Sequence, residues 1–561
     1  MAVGVGVGTL LWVGAAGSSL LSGHRAPRGH LGAVVLAIAH PLDPSAAWWT
    51  AVGPAPLYWS VTAAVLAVGV AVALAVRRVF GGTRQSVAIA GLAGRDAIRR
   101  AAGRRQLARR AVVLRPGLER PSSADLGYRL GSSRGVECWM SVEDSLVVLG
   151  PPRSGKGLHT VVPAILDAPG AVVTTSTRPD NLTATMRARS RLGPVAVFDP
   201  QGLSGLGMGA RWSPINGCER PRVALARARA LCADPGDGVE HGSFWSQQCL
   251  IAVRCLLHAA ALDGRSAAEV YRWSLSPVAA QDAVDVLVTH PRATVAWGSA
   301  LEAILASDPR QRDSTWSMVA NVFAPLADPM VLEAVSPGSG EQFDVEAFLR
   351  SRGTIYLLGT ASGASATATL VSALVDEITE TARRLAAVAP GARLDPPVAV
   401  VLDEAANYPL PSLPALMSDG GGSGISTIVV LQSLAQARAR WGADAAAAIW
   451  DAAIVRLVLG GSGSATDLRD LSALTGSKQQ RRLGESRGPD GQRSVSTSLH
   501  DVPVLDVGDL RTLRFGTALL LLRSAAPIML KQRPWTERDD AALLREDRAK
   551  VESEMRLVTA G

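Results

Sequence analysis

The chain has 561 residues and a formal net charge of +8, from 57 basic and 49 acidic side chains. That length holds two or three domains, each able to bury a core of its own. Its five cysteines, Cys138, Cys218, Cys232, Cys249 and Cys255, include no C-x-x-C pair, which excludes a disulfide framework and the usual zinc spacing and suits a reducing cytoplasm.

Two uncharged runs open the chain. Residues 1–21 carry no charged side chain, and residues 55–76 form a second run of about the same length. Either is long enough to span a bilayer as a helix. Trp48, Trp49, Tyr58 and Trp59 lie near the start of the second run, where interface anchors belong. The balance then changes. From Arg77 to Arg120 there are twelve arginines against Asp96 and Glu119, a net +10, so the rest of the chain is close to neutral. The positive-inside rule places this stretch in the cytoplasm and makes the two runs a hairpin with both ends inside. The spacing of IRRAAGRRQLARR fits a helix lying on anionic lipid or, alternatively, contacting nucleic acid. The expected layout therefore begins with a two-helix transmembrane anchor over 1–80 and a basic juxtamembrane segment over 81–125.

The next landmark is LVVLGPPRSGKG, residues 146–157. A short apolar run, a glycine-bounded loop, a lysine and a helix-forming stretch are the layout of a phosphate-binding P-loop. Gly150, Pro151, Pro152, Arg153, Ser154, Gly155, Lys156 and Gly157 are the candidate nucleotide-binding residues. The loop amides converge on phosphate oxygens beside the positive end of a helix dipole, and Lys156 adds a point charge. Gly157 stands where Ser or Thr normally helps to hold magnesium. Only Lys156, Lys478, Lys531 and Lys550 are lysines, which makes a lysine at the required place informative.

Further apolar runs at 171–175 and 195–199 give the start of an α/β pattern. Helical periodicity dominates from about Asn216 to Val335, including 222–232, 244–262 and 278–288. Strand-like runs return at 354–358, 398–402, 426–431, 454–459 and 517–522. Apolar strands alternating with helices predict a parallel sheet covered on both faces. Residues 477–498, polar and arginine-rich, predict an exposed loop or hairpin. The charged tail after Thr536 predicts a solvated helix.

The run Val398–Leu402 delivers two adjacent carboxylates, Asp403 and Glu404, at its carboxyl end. In P-loop ATPases an acid here holds magnesium and its neighbour polarises the attacking water. Asp403 is assigned to the metal, and Glu404 to catalysis together with Lys156. Gln432, at the end of the next strand, is placed to sense the γ-phosphate. The cofactors that follow are ATP and Mg2+.

These motifs, with VVLDEAANYPLP, LQSLAQARARWG, FDPQGLSG, GSFW, RDSTWSMVANVFAPLADP, LRDLSALTG and the hydrophobic hairpin, resemble the TraG/TraD family of type IV coupling proteins. Glycine commonly follows the P-loop lysine in that family, so Gly157 fits. The resemblance implies a RecA-like P-loop NTPase domain, here 126–206 and 346–536, interrupted by an all-α insertion domain over 207–345 and followed by a charged tail over 537–561. It implies a membrane-anchored homohexamer in the inner or plasma membrane with its ATPase domain in the cytoplasm. Such a ring couples single-stranded DNA, with attached relaxase, to a type IV secretion channel at the cost of ATP. An arginine from a neighbouring subunit completes each site; the sequence does not identify it. Family members often carry lysine at the position of Arg178, so the resemblance gives Arg178 no role. Two alternatives stand beside this: a related motor for protein export or double-stranded DNA, and a docking protein that binds nucleotide without turnover.

Overall fold

A computed structural model describes residues 2–27, 36, 40–80, 90–206, 209–233, 242–360, 367–487 and 493–560. Contacts divide the chain into two units, Met1–Ile89 and Ala90–Gly561.

The second unit is built on an eleven-stranded sheet in the order β2-β1-β13-β12-β9-β3-β8-β7-β4-β6-β5. The strands are β1 (Gly127–Ser133), β2 (Val136–Ser141), β3 (Leu146–Leu149), β4 (Val172–Ser176), β5 (Val195–Phe198), β6 (Thr354–Leu358), β7 (Val398–Leu402), β8 (Ile425–Leu431), β9 (Val455–Leu459), β12 (Thr517–Leu522) and β13 (Ile528–Lys531). From β9 to β5 all seven are parallel. Their residues are apolar almost without break because helices cover both faces; every residue of β3, β6, β7 and β8 is buried.

The expectation of a parallel sheet holds only for that half. β12 runs antiparallel to β9, and β13, β1 and β2 continue antiparallel beyond it. The sequence hides β1 because GYRLGSS is rich in glycine and serine, and its pairing with β2 shifts between Arg129 and Gly131. Such an irregularity breaks the alternation by which a half-buried strand is recognised.

Between β5 and β6 the described regular structure is helical, apart from an isolated bridge between Arg211 and Gln342. The expected start of this insertion borders residues 207–208, which lie outside the described residues. Its longest helices are Gly242–Leu262 and Pro309–Phe323. Arg227 joins it to helix Ala368–Ala387. Its guanidinium lies 4.4 Å from the centroid of the Trp212 ring and 2.6 Å from Glu377, which also accepts the Trp212 indole N–H at 2.7 Å. Residues 477–503 form a separate antiparallel hairpin, β10 (Ser477–Arg487) with β11 (Arg493–Pro503).

Two charged segments are more deeply packed than their composition suggests. The start of the basic segment at 81 lies outside the described residues, but from Arg95 it forms three short helices, Arg95–Ala102, Arg104–Arg109 and Ala111–Leu114. Ile98, Ala102, Leu107 and Leu114 are buried in the same core as Tyr128, Met140 and Leu520. The apolar face of this segment therefore packs on protein, not on lipid. Some of its arginines turn to the sheet as well: Arg110 pairs with Glu143, and Arg115 Nε with Asp395. The tail forms the expected helix, exposed along its charged face, but its other face packs on the body. Helix Ala541–Ala560 buries Leu544 and Val551 against helix Asp180–Ser190 and its surroundings, and Asp547 accepts both carboxylate bonds from Arg191 at 2.6 and 2.8 Å.

In the first unit, helices Ala2–Leu21 and Ala55–Phe80 pack against each other. A Cβ at Gly14 would lie 2.9 Å from the Thr62 backbone, so glycine sets how closely they approach. Two expected interface anchors face inward instead: Trp48 and Tyr58 are buried, with the indole N–H 3.1 Å from the phenol oxygen. Among the described residues no helix is long and apolar enough to cross a membrane.

Candidate nucleotide site at the strand ends

β3, β7, β8 and β4 are parallel neighbours, so their carboxyl ends open onto one edge. Leu149 pairs with Leu431, Leu402 with Val429, and Thr175 with Leu402. Gly150, Gln432, Asp403 and Thr177, the residues that follow β3, β8, β7 and β4, leave the sheet together. This parallel register is what joins residues nearly three hundred positions apart in sequence.

The loop after β3 turns through two left-handed residues, Arg153 (φ 62°) and Gly155 (φ 90°). At Gly155 a side chain is also sterically barred, because a Cβ would lie 2.6 Å from His159 Nδ1. Lys156 is buried, and its ammonium donates to the Gly150 carbonyl at 2.7 Å, across the mouth of the loop. Burial lowers the Lys156 pKa; the charges of Asp403 and Glu404 oppose this. The helix that follows begins with a wide π turn, Gly157–Val161, before Val162–Asp167. The Val162 N–H closes this turn on the Gly157 carbonyl, five residues back, and Pro163 beyond it has no amide hydrogen to donate into the ladder. A Cβ at Gly157 would meet nothing within 4 Å, so the missing Ser or Thr is not a steric requirement.

The two carboxylates have different surroundings. Asp403 Oδ2 accepts from Asn181 Nδ2 at 3.1 Å, and Thr175 Oγ1 donates to the Asp403 carbonyl at 3.2 Å. Burial raises the Asp403 pKa and the Glu404 charge adds to it, while Asn181 and Lys156 pull it down. Glu404 is itself in a left-handed conformation, φ 51°, at the end of β7, a costly geometry for a residue with a Cβ. Its Oε2 accepts from Thr177 Oγ1 at 2.8 Å and Asn407 Nδ2 at 3.0 Å, and its Oε1 from Gln432 Nε2 at 3.3 Å. Tyr408 lies under the pair and donates to the Gly359 carbonyl at 3.0 Å; burial, with the two carboxylates, raises its pKa.

Lys156, Asp403, Glu404 and Gln432 are thus brought to one edge. Arg178 is not: its side chain is three-quarters exposed and pairs with Asp180 at 3.5 Å. Sequence reasoning missed Thr177, Asn181 and Asn407, which hold the carboxylates. Thr177 and Asn181 flank Arg178 in TRPDN, directly after β4, the strand beside β7. A strand-neighbour argument could have found them, had the order of strands been readable. A divalent cation with a preference for hard oxygen ligands suits Asp403, whose Oδ2 alone carries a side-chain bond among those described, and the remaining ligands can come from phosphate and water.

Comparison with known proteins places these residues in context. Residues 397–515 match the family model described as the TraM recognition site of TraD and TraG. No curated protein matches the chain. Among solved structures the chain is similar to the bacterial conjugative coupling protein TrwBdeltaN70 in an unbound form, with 17% identity, TM-score 0.53, and coverage of 72% of this chain and 88% of that one. It is similar to plasmid coupling protein TrwB in complex with the non-hydrolysable GTP analogue GDPNP (18% identity, TM-score 0.54, 75% and 92% covered). It is similar also to TrwB in complex with ADP and Mg2+ (17%, 0.51, 76% and 94%). At these identities the likeness to the solved structures is one of fold.

Proposed function

We propose that this chain is a type IV coupling protein of the TraG/TraD kind, whose TraM-recognition model residues 397–515 match, and that it is an ATPase that drives DNA toward a type IV secretion channel. The observation that carries the proposal is Glu404. It is held on both oxygens by Thr177, Asn407 and Gln432, with one strand, β8, between it and the loop of Lys156. A protein that only bound nucleotide would have no use for a strained, oriented carboxylate at this place.

In the proposed mechanism the amides of 150–157 and the Lys156 ammonium bind the β- and γ-phosphates. On nucleotide binding the ammonium exchanges the Gly150 carbonyl for phosphate oxygen. Asp403 would hold magnesium, which would supply charge neutralisation at the phosphates. Thr177 and Asn407 fix Oε2 of Glu404, leaving Oε1 to accept a proton from the attacking water. Gln432 lies on that same oxygen and is placed to report the presence of the γ-phosphate on it. TrwB crystallised with a GTP analogue and with ADP and Mg2+ is in keeping with such a site.

The domain division proposed is the one expected from sequence: a RecA-like body over 126–206 and 346–536, with 207–345 inserted. A homohexamer, in which a neighbour's arginine completes each site, would let some subunits hold a strand while others step. The cargo is single-stranded DNA with an attached protein, and the matched region 397–515 offers a docking surface for a partner of the TraM kind. Aromatics are only 4% of the chain, so backbone phosphates would supply most of the grip, and binding should weaken with salt. ATP hydrolysis by the full chain, measured with and without single-stranded DNA, tests this. Stimulation reversed by salt is expected. A rate indifferent to DNA would leave an export motor for another cargo as the better account.

The uncharged runs 1–21 and 55–76 and the net +10 that follows support association with the membrane through the first unit. Deletion of residues 1–89 should move the protein from the membrane pellet to the supernatant. A truncated chain that still pellets with membranes would refute that role.

A further inference from the structure

The nucleotide site has a side that the proposed mechanism does not use. Asp403, Glu404 and Gln432 all lie toward β7 and β8, on one flank of β3. A γ-phosphate must face them. The rest of a nucleotide then runs the other way along the loop, toward β9 and β12.

On that flank the chain is laced tightly. Gly461 N–H donates to the Arg511 carbonyl at 2.8 Å, and the Gly516 carbonyl accepts from Gln532 N–H at 2.9 Å. A Cβ on Gly461 would lie 3.1 Å from Pro151 Cγ, and one on Gly460 only 2.3 Å from the Leu513 carbonyl oxygen. The loop before β12 is therefore pressed against the P-loop, and it presents Phe515. This ring is 66% exposed although its backbone neighbours are anchored. Phe515 Cε2 would be 2.9 Å from a Cβ on Gly155, so the ring sits against the P-loop itself. The buried His159 imidazole meets it edge-on, centroids 5.1 Å apart at 67°, and is fixed by Nδ1 at 3.0 Å from the Gly155 carbonyl. Burial lowers the His159 pKa, so the ring beside Phe515 is neutral at neutral pH.

Resting on the nucleotide reading above, we infer that Phe515 is the base platform of the site: its exposed face stacks on the heterocycle of the bound nucleotide, with His159 and Gly155 setting its position. Stacking on a flat apolar ring is tolerant of the base, because every base has a π-face. Adenine and guanine nucleotides should depend on it alike, and a phosphate chain without a base should not depend on it at all.

Titration calorimetry on the full chain in detergent, with ATP, GTP and inorganic tripolyphosphate as ligands, separates the cases. Phe515→Ala should weaken ATP and GTP about tenfold, the usual size of a lost base–aromatic stack, and leave tripolyphosphate unchanged. Phe515→Leu keeps bulk without a flat face and should behave like Phe515→Ala; Phe515→Trp should bind like the wild type. Unchanged ATP binding in Phe515→Ala, or equal losses for ATP and tripolyphosphate, would overturn the platform and leave the nucleotide site standing. A wild-type chain that binds neither ATP nor tripolyphosphate would bring down the nucleotide reading, and the platform with it.

Discussion

The two halves of the main sheet are built from different material. The parallel half, β9 to β5, is a run of buried aliphatic strands whose carboxyl ends carry Lys156, Asp403, Glu404 and Gln432. The antiparallel half, β12, β13, β1 and β2, includes glycine, serine and charged residues, and against it pack the short basic helices from Arg95 to Leu114. The first half carries the proposed site, and the second supports its flank. The difference teaches that a site can be spelled out in sequence while the structure that backs it is not.

The largest effect should come from the parallel half. Lys156→Ala removes the ammonium from the loop mouth and should abolish detectable ATP binding, read by calorimetry, while thermal unfolding changes little. Retained ATP affinity would move the phosphate site away from this loop. A change in the supporting half should do the reverse. Ile98→Ala opens a cavity where the basic segment meets the sheet core, and should lower stability by about 2–5 kcal/mol, the range for such truncations. Denaturant unfolding measures this. A loss near zero would mean that the basic helices do not dock on the sheet and are free for lipid.

These contrasts mark what was legible in the sequence. The strands at 354–358, 398–402 and 517–522 were readable to the residue, because buried strands between helices are unbroken apolar runs. The direction of β12 was not, since an apolar run looks the same read parallel or antiparallel. The helical spacing of the basic segment was visible, but periodicity reveals an apolar face and not what covers it; Ile98 and Leu107 find Tyr128 and Met140 across a stretch of chain that no local rule connects. The same holds for Trp48 and Tyr58, whose aromatic character suited a membrane interface and which instead bond to each other. Motifs name Lys156, Asp403, Glu404 and Gln432, which strand register brings to one edge, whereas Thr177, Asn181 and Asn407 depend on strand order. Phe515 depends on it too, lying 360 residues from Gly155, against which its ring sits.

The smallest effect concerns the one departure from the P-loop pattern. The open space around Gly157 means that Gly157→Ser should fold with stability within about 0.5 kcal/mol of the wild type, as surface changes away from special features do. It should bind ATP at least as well when magnesium is present. A large loss of stability would show that glycine is needed there for the backbone of the π turn.

The central claim is that the ends of β3, β7 and β8 form one hydrolytic site, with Glu404 acting on water and not merely holding the loop. Single-turnover hydrolysis of ATP by Glu404→Gln, with ATP affinity measured on the same preparation, tests it most directly. The account predicts unchanged affinity and a rate lower by about a hundredfold or more, the scale of general-base assistance. Hydrolysis at the wild-type rate with unchanged affinity would contradict it.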